Sequence, residues 1–93
     1  VVETRCLFDS SGVHPVTTVL PPVLSALVVP HVMRQEAMCD IALSGTFDDL
    51  VSLVMTDPLC SRCLPGTVRS MMRELLCANR AHVRNEALLR HLP

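Results

Sequence analysis

A six-residue phrase occurs twice in this chain, and it constrains the fold more than any other feature. Met33-Arg34-Gln35-Glu36-Ala37-Met38 returns fifty positions later as Val83-Arg84-Asn85-Glu86-Ala87-Leu88, with three positions identical and three conservative. The same offset aligns Pro15-Val16-Thr17 with Pro65-Gly66-Thr67, so each Arg-x-Glu-Ala stands at a matching depth in its unit. Two matches in one register, inside segments that read as helix, turn and helix, predict stacked helical units.

Local patterns agree with that expectation. Residues 1–15 mix Arg5, Asp9, Ser10, Ser11, Gly12 and Pro15 without a sustained period and read as an irregular lead-in. Pro21 and Pro22 suit a helix's first turn, where a missing N–H costs nothing. Val23, Leu24, Ala26, Leu27 and Val28 then make the segment apolar nearly all round, so it is expected to be buried. Pro30 ends or kinks it, and an amphipathic helix follows over 31–43 and stops at Gly45. Thr46-Phe47-Asp48-Asp49 supplies a hydroxyl cap and two first-turn acids, opening a helix through about Met55. Leu59 to Leu64 reads as a short helical turn. After Pro65, Val68, Met71, Met72, Leu75 and Leu76 keep the helical spacing without a miss. A last helix is expected to hold Val83, Ala87, Leu88 and Leu92 on one face. Among the methionines, Met33, Met71 and Met72 are expected in the core.

The chain of 93 residues is 49% hydrophobic with a net charge of −1, a large apolar share for one small domain. Disorder is excluded by that share, and part of the apolar surface is expected to be covered by further units or a partner. The start at Val1 fits excision from a longer chain. No run reaches the ~18 consecutive apolar residues of a membrane span. Five cysteines, an odd number, without a signal-peptide pattern point to reduced thiols and an intracellular location, cytoplasmic or nuclear.

At the repeated phrase the chain resembles the armadillo and HEAT families, whose units often carry Val-Arg-x-x-Ala on a helix lining a superhelix. The resemblance covers about residues 16 to 93 and implies an all-α fold, an α-α superhelix fragment of about two repeats. The units would be 1–15 as lead-in, 16–64 as the first repeat and 65–93 as a partial second. It also implies a curved helical stack used as a binding surface. Side chains on the inner helices would make the site: Arg34, Gln35 and Asp40 on the first, with Arg84, Asn85 and His91 on the second. The two arginines, being shared by both units, also suit a bracing role between repeats.

Other chemistries can be drawn from the residues. Cys60-x2-Cys63, with Cys77 and His82 following, is sufficient in donor type for tetrahedral zinc, which makes a zinc-stabilised helical domain the first alternative. The charge is uneven: residues 1–61 carry a net of −5 and residues 62–93 a net of +4, with Arg62, Arg69, Arg73, Arg80, Arg84 and Arg90 in the basic part. An arginine-faced nucleic-acid binder is therefore the second alternative, although only Phe8 and Phe47 are aromatic and no stacking platform exists. No Gly-rich phosphate loop, nucleophile elbow or zinc-protease helix is present. Asp48-Asp49 diverge by about 100° on a helix and serve a cap better than paired acid–base work. The residues thus predict a non-catalytic scaffold that needs no cofactor and holds a protein or peptide along the groove formed by 31–43 and 81–92.

Overall fold

The computed structural model describes residues 4–90 and 92, and the chain divides into two units, Val1–Gln35 and Glu36–Pro93. The first begins with a β-hairpin, strands β1 (Cys6–Asp9) and β2 (Gly12–Pro15), antiparallel with Cys6 opposite Pro15 and Asp9 opposite Gly12. Asp9 makes the turn. Its Oδ1 accepts from the Ser11 amide at 2.7 Å and the Ser11 hydroxyl at 2.6 Å, an Asx turn, while Gly12 takes the left-handed backbone at φ 129°. Bonds from the Val16 amide to the Arg5 carbonyl and from Thr4 Oγ1 to the Val16 carbonyl lengthen the ribbon. An all-α chain was expected, and this ribbon corrects it: the fold is mostly helical with a two-stranded sheet.

Helix α1 (Pro22–Ser44) runs unbroken through Pro30, so the expected break there does not occur. Pro30 removes one donor, which a long helix tolerates when the neighbouring turns are made. None of its 23 residues is buried, against the expectation for its first half. Val23 and Leu27 are largely exposed, and so is Met33, expected in the core.

The second unit holds the last turns of α1, then α2 (Phe47–Met55), α3 (Pro65–Ala78), a 3-10 turn at Arg80–His82 and the short α4 (Glu86–Leu89). Gly45 separates α1 from α2 because nothing larger fits: a Cβ there would lie 2.6 Å from Ile41 Cα. Helix α2 starts on a capping box. The Asp49 amide donates to Thr46 Oγ1 at 3.2 Å, and the Thr46 amide donates back to Asp49 Oδ2 at 2.9 Å. Both helices are amphipathic, and their apolar stripes meet in a core of Phe47, Leu50, Val51, Val68, Met72 and Leu76, closed by Leu88 from α4. Met72 is buried as expected, whereas Met71 lies on the exposed side of α3.

The two-repeat superhelix does not appear. Residues 33–38 lie wholly inside α1, whereas residues 83–85 are extended or capping and only 86–88 are helical. Asn85, aligned with the mid-helical Gln35, is instead the N-cap of α4. Identical letters therefore serve different backbones, and no common rotation relates the two segments.

Candidate functional site

Between the end of α1, α3 and the 3-10 turn, the second unit opens into a cavity of about 480 Å³. Its floor is the core itself, through Leu50, Met72, Leu76 and Leu88, and its walls are Met38, Ile41, Ala42 and Leu43 of α1 with Leu75 of α3. Asn79, His82 and Arg84 are its polar lining residues, and no acid lines it. The helical spacing explains the convergence: Leu75 follows Met72 by three and precedes Asn79 by four, so α3 offers them side by side.

The wall of α1 is held in place by one side chain. Asn85 Nδ2 donates to the Gly45 carbonyl at 2.8 Å, just past the helix end, and adds a second bond, at 3.0 Å, to the Ile41 carbonyl that already accepts from the Gly45 amide. Its Oδ1 accepts from the Ala87 amide at 3.0 Å and caps α4. One half-buried amide thus joins the end of one helix to the start of another.

Of the residues expected to bind a partner, Arg34 and Gln35 belong to the first unit, and Asp40, Arg84 and Asn85 to the second. Arg34 Nη2 donates to His31 Nδ1 at 2.8 Å, and Gln35 and Asp40 are exposed. Arg84 lines the cavity and Asn85 makes the clamp. His91 lies outside the described residues. The zinc set of Cys60, Cys63, Cys77 and His82 is not assembled: among the described residues no three His, Cys, Asp or Glu side chains come within reach of one ion. Cys60 packs against the core, while Cys63 and Cys77 are exposed. The sequence reading missed the apolar walls, since Leu75 and Ile41 read as ordinary stripe residues.

Three of the acids, Asp9, Asp48 and Asp49, are occupied locally. Asp48 meets Arg69 Nη2 at 2.6 Å, and the guanidinium groups of Arg69 and Arg73 stand 5.4 and 5.6 Å from the centre of the buried Phe47 ring. Hydrogen bonds from Thr46 hold the Asp49 carboxyl below its ordinary range, and those from Ser11 and His14 do the same for Asp9. Among the described residues no helix is long and apolar enough to cross a membrane.

Against known proteins, residues 1–60 match the family model described as the family 4 glycosyl hydrolase C-terminal domain. No curated protein and no solved structure matches the chain. The matched segment runs through the ribbon, α1 and α2. It overturns the armadillo and HEAT resemblance, and with it the reading as a non-catalytic interaction scaffold and both of its alternatives, because this family accompanies glycoside hydrolysis. The repeated phrase misled because six residues are too few to separate shared ancestry from shared helix-forming composition.

Proposed function

Because the chain belongs to the family 4 glycosyl hydrolase C-terminal domain family, we propose that it is part of a glycosidase and completes that enzyme's fold without carrying its whole catalytic apparatus. The observation that carries this reading is the family match over residues 1–60. One feature of the molecule supports the division of labour: the exposed apolar side chains of α1 call for cover from the rest of an enzyme.

Family 4 glycosidases depend on NAD in place of a carboxylate pair. The residues of this chain do not fit that cofactor. Pyrophosphate is cradled by a glycine-rich turn feeding amides at a helix N-terminus. Helix α1 instead begins at Pro22 behind Pro21, and Gly12, Gly45 and Gly66 stand apart from one another. In this proposal the dinucleotide and the reacting sugar atoms are held by other residues of the enzyme.

The test is to assay the enzyme carrying this chain with nitrophenyl α- and β-glycosides, with and without NAD. Dinucleotide-dependent release of nitrophenol, lost when residues 36–93 are removed, is expected. Full activity after the removal, or no hydrolysis of any glycoside with NAD present, would refute the proposal.

A further inference from the structure

We propose that the cavity of the second unit binds a small amphiphilic anion, an unbranched alkyl carboxylate, with its chain on the apolar floor and its carboxylate at Arg84 and His82. The proposal is independent of the glycosidase reading, since it uses only the cavity and its mouth.

The volume of about 480 Å³ lies within the roughly 300–1,000 Å³ of small-molecule sites. Its lining is almost wholly aliphatic and thioether, and it descends to Leu50, Met72 and Leu76, which are buried. Water gains little from such walls, because an apolar cavity offers it too few partners. A sugar is a poor occupant for the same reason: each hydroxyl taken from water needs a polar partner, and only three lining residues are polar. One of those is already engaged, Asn79 Nδ2 donating to the Leu75 carbonyl at 2.9 Å.

The remaining polar lining sets the charge of the ligand. Among the described residues neither the Arg84 guanidinium nor the His82 imidazole has a hydrogen-bond or ion-pair partner. The Arg84 guanidinium presents a fork that matches a carboxylate, and His82 can donate a ring N–H. With no acid in the lining, Arg84 is its charged residue, and both Arg84 and His82 are exposed whereas Leu50, Met72, Leu76 and Leu88 are buried. An anionic head on an alkyl tail is complementary to both ends, whereas an uncharged or cationic head is not complementary to Arg84.

The experiment titrates the protein with hexanoate, octanoate, decanoate and dodecanoate by calorimetry, and follows decanoate by amide chemical-shift mapping. Burial of about 0.8 kcal/mol per methylene corresponds to roughly fourfold in affinity per added carbon. Affinity should rise at about that rate until the cavity is filled, and shifts should gather at residues 75, 79 and 82–84. Arg84→Gln should weaken decanoate about tenfold or more and leave decan-1-ol unchanged. Leu75→Glu, at an exposed wall position, should weaken every carboxylate while circular dichroism shows the helices retained. Affinity independent of chain length, equal binding of decanoate and decan-1-ol, or shifts confined to residues outside the cavity would each overturn the proposal.

Discussion

Asn85→Asp is the sharpest test of how the second unit is held together, because the two roles of Asn85 predict opposite outcomes for it. As an N-cap, Asn and Asp are nearly equivalent, and the Oδ1 that accepts from Ala87 survives the change. As a clamp, the change removes both Nδ2 bonds, to Ile41 and Gly45. It also directs a carboxylate at the carbonyl end of α1, where the helix dipole is negative. Each lost bond to a half-buried carbonyl is worth about 1 kcal/mol, so the loss is about 2 kcal/mol before the repulsion is added. Asn85→Ala loses the cap as well, a further ~1 kcal/mol. Against a total stability of about 5–15 kcal/mol for a small domain, either loss is large. Urea unfolding followed by far-UV circular dichroism measures both variants. Asn85→Asp should fall close to Asn85→Ala, and an Asn85→Asp protein within about 0.5 kcal/mol of the parent would show that the clamp contributes nothing.

Two further outcomes follow from the same unit. Gly45→Ala should destabilise by about 1–3 kcal/mol in thermal unfolding, since the new methyl meets backbone and not a side chain that can swing away. Thr46→Ala should cost about 1 kcal/mol through loss of the cap and should raise the Asp49 carboxyl toward its ordinary value of 3.8, read by carbon NMR titration. Because the folded-state value is depressed, the Asp49 contribution is present above the unfolded pKa and is lost as pH falls through the folded one. The pH dependence of stability in the acid range should therefore flatten in Thr46→Ala.

The helices were legible where several local signals coincided. Helix α2 has a hydroxyl cap, first-turn acids and a stripe of Phe47, Leu50 and Val51, and it forms where those signals place it. In α3 the spacing was right, but it could not say which flank of the stripe would be covered; Leu75 and Met71 ended outside the core. Pro30 reads as a breaker because propensity is local, yet α1 continues through it. The ribbon has a short signal of its own, Asp9-Ser10-Ser11-Gly12 between Leu7-Phe8 and Val13, a turn flanked by strand formers. The cavity was not legible, since its walls come from positions far apart in sequence, and neither was the clamp, whose donor lies 40 and 44 residues from its acceptors.

The hairpin has a consequence for every measurement of stability on this chain. Among the described residues its hydrogen bonds begin and end within residues 4–16, so the ribbon rests on its own short ladder and on the turn at Asp9 and Gly12. A substitution at Gly12 or Asp9 is thus read most directly by hydrogen exchange at the amides of residues 6–16, where a ladder this short opens as one piece.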